Sequence, residues 1–338
     1  MSVTLSVRAF TDKRRMKMTG FNNNSSKDDF WLIKTVDKKV NVKGAAYLDM
    51  MLCNKDTEMS AKLWDYSEAA HGSYASGDLV KIRGTVTQFN GNDQLRVDRI
   101  RRVNENDGVD ISDFVPGAEY SGEQMLGQIM NIIASVKDEQ LKSLTYELVK
   151  DCEKQMLFWP AAFKLHHAMR GGLLYHTLSI IKMAEAMCLI YPSIDRDLLM
   201  CGAIVHDICK IDEFNLSSAG LVSEYSVKGE LLGHLVMGAM KIEKKASELG
   251  IDPEKAMLLE HMVISHHGEP EFGAAVRPMF LEAEVLSQLD KLDATVWEIN
   301  YAVGEVGDGE FTQRQWALDN RKLYKHARKE NATKANLM

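Results

Sequence analysis

Proline is scarce in this 338-residue chain, at 6 residues, and glycine is unexceptional at 23. That excludes collagen-like and Pro/Gly-rich low-complexity classes. Cysteine is scarce too. The five residues, Cys53, Cys152, Cys188, Cys201 and Cys209, are scattered, and no two form a C-x-x-C pair. An odd, dispersed set argues against a disulfide scaffold or a zinc ribbon and fits reduced thiols in a cytoplasmic setting. No apolar run approaches the roughly 18–20 residues that span a bilayer, so no membrane partner is expected. The first stretch of chain carries Arg8, Lys13, Arg14, Arg15 and Lys17 but no apolar h-region, unlike a secretory signal. What is present is globular in kind. Hydrophobic residues make up 45% and charged residues 26%, which excludes disorder along the whole length. The length allows two domains.

Charge and histidine are unevenly spread. Residues 1–105 hold 18 Lys+Arg against 13 Asp+Glu, and residues 106–338 hold 23 against 35, so a segment of +5 precedes one of −12. Local positive potential attracts polyanions even on an acidic molecule, although +5 is also compatible with ordinary surface variation. Of ten histidines, only His71 and His326 fall outside 166–267. Clustered histidine most often serves metal binding or acid–base chemistry.

Two textures follow one another. Phe30–Val36, Ala45–Cys53, Glu58–Trp64, Leu79–Phe89 and Gln94–Val103 read as short strands, with a hairpin signal at Asn90-Gly91-Asn92. Five strands in this space predict a small barrel over 26–105, either OB-like or SH3-like. Its aromatics are interleaved with basic residues. Trp64 and Phe89, with Lys62, Lys81, Arg83 and Arg96, are candidates for holding a single strand by base stacking and backbone contacts. Filling the barrel core is the competing use for the aromatics. Residues 106–120 read as a linker. From Ser121 the pattern turns helical, with predicted helices at 121–137, 138–158, 172–189, 195–210, 228–249, 253–267 and 280–303. Ser121 with Gln124 forms a capping box, and Asp252-Pro253 and Gly268 mark a start and a stop. The expected fold is therefore multidomain α and β: an extension over 1–25, the β-barrel, the linker, an all-α domain over 121–325 and a frayed tail over 326–338.

The helical half sets metal-ligand side chains inside apolar runs: His176, His206-Asp207, His234, His266-His267 and Asp290. Burying such groups is costly without compensation, and a cation compensates. Imidazole with carboxylate and no thiolate suits Mn, Fe, Co, Ni or Zn. Five histidines and two carboxylates exceed one tetrahedral site but supply two ions about 3.5–4 Å apart, an arrangement used in phosphoester hydrolysis. Asp207 is placed to bridge the two ions. Lys210, one turn on, is placed to neutralise a phosphate oxygen, with a surface lysine as the alternative.

His176…His206-Asp207…Asp290 resembles the signature of the HD superfamily of metal-dependent phosphohydrolases, and His234 with His266-His267 resembles its two-metal branch. Further stretches are similar to the YhaM-type 3′→5′ exoribonucleases, which join an OB-fold to an HD domain. They include Trp159-Pro-Ala-Ala, Gly171-Gly-Leu-Leu-Tyr-His176, Leu231-Leu-Gly-His234, His261-Met-Val-Ile-Ser-His-His-Gly268 and Leu318…Leu323-Tyr324. The resemblance spans about residues 30–325. It implies removal of nucleotides from the 3′ end of single-stranded RNA, with single-stranded DNA often also accepted and Mn²⁺ the usual ion. It carries ligand roles onto His176, His206, Asp207, His234, His266 and Asp290, and onto His267 with less support. His166, His167 and His261 become candidates for substrate contacts or for orienting a ligand, and Asp293 for an outer acid. Homo-oligomers are left open. Gly172 stands where other HD branches place a Glu for a third ion, which implies two metals. Two other functions remain: an HD phosphohydrolase acting on a small nucleotide or cyclic dinucleotide, and a non-catalytic RNA-binding protein.

Overall fold

The structure, a computed structural model, describes residues 27–54, 57–89, 92–109, 113–115, 117–163, 167–217 and 219–328. The expected extension, the Asn90-Gly91 turn, His166, the Phe89 side chain and most of the tail lie outside the described residues.

Strands β1 (Lys27–Val40), β2 (Ala46–Cys53), β3 (Glu58–Leu63), β4 (Leu79–Phe89) and β5 (Asn92–Arg102) close into a barrel in the order β1-β2-β3-β5-β4, with a short helix α1 (Glu68–His71) between β3 and β4. β3 pairs parallel to β5, and β4 closes on β1. This five-stranded closed barrel is OB-like. Period-two alternation decides what faces inward. Leu48, Met50 and Leu52 of β2 meet Met59, Ala61 and Leu63 of β3, with Val80, Ile82, Leu95 and Val97 opposite. The aromatics divide by the same rule: Trp31 and Tyr66 fill the core, while Trp64 stays 41% exposed.

The helical half comprises α2 (Gly122–Ser135), α3 (Glu139–Lys150), α4 (Glu153–Met156), α5 (Gly172–Ile190), α6 (Arg196–Val205), α7 (Lys210–Glu213), α8 (Val227–Leu249), α9 (Pro253–Ser265) and α10 (Leu281–Gly304). The Ser121/Gln124 capping box and the Asp252-Pro253 start form as read, and Asp195, where a helix is expected to begin, caps α6. A two-stranded hairpin, β6 (Phe214–Leu216) and β7 (Val222–Tyr225), is inserted after α7. The run expected as one helix over 138–158 turns at Asp151-Cys152 instead, which brings Trp159 Nε1 to donate to the Lys210 carbonyl at 3.0 Å.

One expectation is corrected. α5 is, by length and composition, long and apolar enough to cross a membrane. Here it is the central core helix. Leu173, Leu174, Leu178, Ile180, Ile181 and Ala184 are buried among α2, α6 and α10. Each fully buried Leu or Ile contributes about 1.5–3 kcal/mol. The barrel docks on the helical half through a small apolar cluster, in which Leu32 and Leu79 meet Val115 and the β6–β7 loop residue Ala219.

Candidate metal centre

Helix ends build the centre. α6 stops at Val205, and His206 is its C-cap. The last-turn carbonyls of a helix lack intrahelical partners, and His206 Nδ1 donates to one of them, the Ala203 carbonyl, at 2.8 Å. α9 ends the same way: His266 is its C-cap, His266 Nδ1 donates to the Val263 carbonyl at 2.8 Å, and Gly268 leaves the helix at φ +78°. His234 stands where α8 is interrupted, because Gly233 takes φ +68° and the helix restarts after it. Glu213 caps that restart by accepting from His234 N at 3.0 Å, and it also accepts from His234 Nδ1 at 2.9 Å. His267 Nδ1 donates to the Phe272 carbonyl at 2.8 Å, and His176 Nδ1 to Asp293 Oδ2 at 2.7 Å.

All five imidazoles thus commit Nδ1 to an acceptor. A neutral imidazole protonated at Nδ1 offers its Nε2 lone pair to whatever lies ahead. What lies ahead is Asp207. His176 Nε2 is 3.3 Å from His206 Nε2, 3.1 Å from Asp290 Oδ1 and 3.5 Å from Asp207 Oδ2, and His206 Nε2 is 3.3 Å from Asp207 Oδ2. The other carboxylate oxygen, Asp207 Oδ1, lies 3.3 Å from His234 Nε2 and 3.6 Å from His266 Nε2. Nitrogen and oxygen donors about 2.0–2.2 Å from one ion stand ~3.0–3.6 Å apart by simple polyhedral geometry. Three donor groups that could hold an ion are present among the described residues: His176/His206/Asp207 with Asp290 beside it, His234/His266/His267, and His167/His176/Asp293. Asp207 turns one oxygen toward each of the first two.

The residues fit a cation on an observation independent of spacing. Asp207 Oδ1, His234 Nε2 and His266 Nε2 are buried with no hydrogen-bond partner among the described residues. Orphaned acceptors of this kind cost about 1–3 kcal/mol each.

Electrostatics agree. Burial disfavours charge on Asp207, but the Lys210 ammonium, 2.7 Å from Asp207 Oδ2, and His206 outweigh it and hold the carboxyl well below the usual carboxylate range. Burial likewise opposes charge on Lys210, and Asp207 reverses the effect and raises its pKa. Burial presses His176 toward neutrality, yet its bonds to Asp290 and Asp293 lift it to about 9. Burial pushes His266 down to about 3.

Every metal-ligand candidate from the sequence is in this cluster. His167 joins it from outside: its Nε2 shares Asp293 Oδ2 with His176, at 2.7 Å, and its ring lies 4.3 Å from that of Trp297. His261 does not join it. His261 Nε2 accepts from Met279 N at 3.0 Å and its ring packs on Phe280, so it pins the approach to α10 instead of orienting a ligand. A Cβ at Gly172 would collide with the His167 carbonyl, so a ligand side chain has no room there. Sequence reasoning missed Glu213. It lies 21 residues from His234 and carries no spacing signal.

The barrel candidates divide. Lys62 Nζ sits 5.2 Å over the Tyr47 ring and 5.5 Å over Trp64, those two rings are 4.6 Å apart, and Arg96 is the β5 register partner of Lys62. Lys81 and Arg83 are elsewhere, along the β1–β4 pair. Lys81 lies over Phe30, and Arg83 is committed to Asp28, with Nη2 to Oδ2 at 3.0 Å.

Residues 173–295 match the HD domain family, a family of metal-dependent phosphohydrolases. Solved structures with similarity include a replication protein A heterotrimer bound to ssDNA, with 10% identity, 25% of this chain, 61% of that chain and a TM-score of 0.21. Two others are the second OB-fold domain of replication protein A from Methanococcus maripaludis, with 17%, 25%, 88% and 0.21, and an aspartyl-tRNA synthetase from Entamoeba histolytica, with 11%, 50%, 35% and 0.19. This chain thus spans less than two thirds of the first and about a third of the third of these.

Proposed function

We propose that this protein hydrolyses single-stranded RNA, and single-stranded DNA less selectively, from the 3′ end to 5′-mononucleotides, using two divalent ions with Mn²⁺ foremost. The carrying observation is the set of buried, unpartnered acceptors, Asp207 Oδ1, His234 Nε2 and His266 Nε2, in a chain that also has an OB-like barrel with exposed aromatic and basic side chains.

His176, His206, Asp290 and Asp207 Oδ2 would hold one ion, and His234, His266, His267 and Asp207 Oδ1 the other. Bound there, divalent ions supply Lewis-acid polarisation of a phosphate and a water acidic enough to attack near neutral pH. The remaining work belongs to the chain. The Nδ1 partners, Glu213 and Asp293 among them, hold each Nε2 lone pair on target. Lys210, kept charged by Asp207, offsets negative charge as it grows on the phosphate. OB-type barrels bind oligonucleotides on the face of strands 2 and 3. On β2, β3 and the residue just after β3, Tyr47, Lys62 and Trp64 supply stacking surface and a cation. The direction and the preference for RNA are supported by the resemblance to the YhaM-type enzymes.

Purified protein given 5′-labelled single-stranded RNA with Mn²⁺ should produce a ladder of shortened products. EDTA should abolish the ladder, and Asp207→Ala should not produce it. Single internal cuts, or no reaction, refute the reading. Faster turnover of a free nucleotide than of an oligonucleotide would replace it with the small-substrate phosphohydrolase.

A further inference from the structure

The segment after α10 is used by nothing above. It forms an ordered hairpin. Phe311 bridges Tyr324 and Gln315 bridges Arg321, with Thr312 N donating to the Leu323 carbonyl and Gln315 N to the Arg321 carbonyl, each at 2.9 Å. Asp319 and Asn320 turn the chain at φ +54° and +57°, a left-handed pair that Asp and Asn adopt more readily than most residues. Leu318 and Thr312 are buried and anchor it, and Lys325 Nζ donates to the Val306 carbonyl at 2.8 Å, tying the hairpin to the end of α10.

Its outer surface is aromatic and basic. Trp316 is 76% exposed, Phe311 61% and Tyr324 52%, and the Phe311 and Tyr324 rings lie 5.0 Å apart. Residues 311–328 carry Arg314, Arg321, Lys322, Lys325 and Arg328 against Asp319 alone, a formal +4 inside a half that is −12 overall. Lys322 and Arg328 have no ion pair among the described residues. The location fits as well. α10 leads from Asp290 to Tyr301, 11 residues or ~16 Å. The hairpin is thus tied to the far end of the helix that carries Asp290.

We propose that the Phe311–Arg328 hairpin is a second binding surface for single-stranded nucleic acid. Bases stack on Trp316 and on the Phe311–Tyr324 pair, and phosphates lie against Arg314, Lys322 and Arg328. Aromatic platforms set among cations are the general means of holding single strands without sequence preference. A patch of +4 with exposed rings among its cations complements a chain of phosphates and bases. The proposal shares its polymer with the nuclease reading and rests on that reading to this extent.

The test uses the full chain in EDTA, so that no strand is cut, and reads the anisotropy of fluorescein-labelled oligo(U) and oligo(dT) 20-mers across a salt series. Trp316→Ala should raise Kd about fivefold or more. Lys322→Ala with Arg328→Ala should lower the salt slope by about 1.4, the contribution of two phosphate contacts on a single strand. Mn²⁺-dependent turnover of bis(p-nitrophenyl) phosphate should be unchanged in both variants. All of these side chains are exposed, so folding is not at stake. If the wild type binds and both variants match it, the hairpin proposal falls and the nuclease reading stands. The same result with a changed sedimentation mass assigns the patch to self-association and also overturns the proposal. A wild type that binds neither oligomer overturns both.

Discussion

Glu213 offers the sharpest perturbation, because it holds one cage and not the other. Its carboxylate accepts from His234 Nδ1 at 2.9 and 3.0 Å and from the His234 backbone N–H at 3.0 Å. No contact links Glu213 to His176, His206 or Asp290 among the described residues. Glu213→Gln keeps an acceptor for the backbone N–H but weakens the carboxylate–imidazole bond that aims His234 Nε2 at Asp207 Oδ1, 3.3 Å away. Losing an outer partner of this type costs 10–100-fold in metal affinity, about 1.4–2.8 kcal/mol. The loss should fall on the His234/His266/His267 cage alone. Glu213→Ala should cost more. It leaves two buried donors unsatisfied at about 1–3 kcal/mol each, so metal-free stability falls as well. Calorimetric titration of metal-free protein with Mn²⁺ should show two binding events in the wild type and, in Glu213→Gln, one retained and one weakened by that factor. Equal weakening of both events, or of neither, would refute the two-cage geometry.

Two further predictions follow from the same groups. In the metal-free protein His176 holds a proton up to about pH 9, and coordination through Nε2 requires it to leave. Metal affinity should therefore rise with pH toward 9, by at most about tenfold per unit, with close to one proton released at pH 7. Titrations in buffers of different ionisation enthalpy count that proton. Because the folded pKa is raised, the stability His176 contributes without metal is complete below about pH 6.5 and is lost as pH climbs through about 9. Trp64→Ala on the barrel should weaken single-strand binding by the roughly 1–3 kcal/mol of one stacked base and leave turnover of a small phosphodiester untouched. A matching loss in both assays would mean that the substitution disturbs the fold.

Local signals were legible in the sequence and tertiary ones were not. The caps at Ser121 and Asp252 depend on side chains within three residues of the helix start, so their positions could be read directly. The strand limits followed from alternation, and β2 to β5 begin or end within two residues of expectation. The residues that gather around Asp207 were legible because imidazole and carboxylate are out of place in apolar runs. The break at Gly233 was not. Leu231-Leu-Gly-His234 reads as helix interior, and only Glu213, on another helix, stabilises the restart. The end of α6 at Val205 was hidden for a similar reason: 206–209 form a turn in which His206 and Asp207 meet His176 of α5, His234 of α8 and His266 at the end of α9. The hairpin at 311–324 has weak alternation and few apolar residues, and it depends on α10 for its anchor at Leu318. Arg83 shows the limit of counting basic residues, because a cation on a strand says nothing about a carboxylate two strands of chain away.

A barrel with a decayed catalytic half would bind RNA equally well, and stability separates that case from a working centre. On the Oδ1 side of Asp207 the chain offers only acceptors, Oδ1 itself and the lone pairs of His234 Nε2 and His266 Nε2, while Lys210 Nζ meets Oδ2 at 2.7 Å. A water has two protons and could satisfy two of these at most, whereas a cation accepts from all of them at once. A vestigial site would be under no constraint to keep His206, His234, His266 and His267 committed through Nδ1 to carbonyls and a carboxylate, since relaxing any of these would recover part of the 1–3 kcal/mol that each orphan costs. If the arrangement persists for ions, the folded state must bind them while the unfolded chain does not. Free Mn²⁺ at about 100 times Kd then adds ~2.7 kcal/mol to the unfolding free energy. Thermal unfolding of EDTA-treated protein, repeated with increasing Mn²⁺, should move the midpoint upward with the logarithm of metal concentration, and Asp207→Asn should flatten the response. A midpoint indifferent to metal in the wild type would identify the helical half as a relic and leave the barrel to act alone.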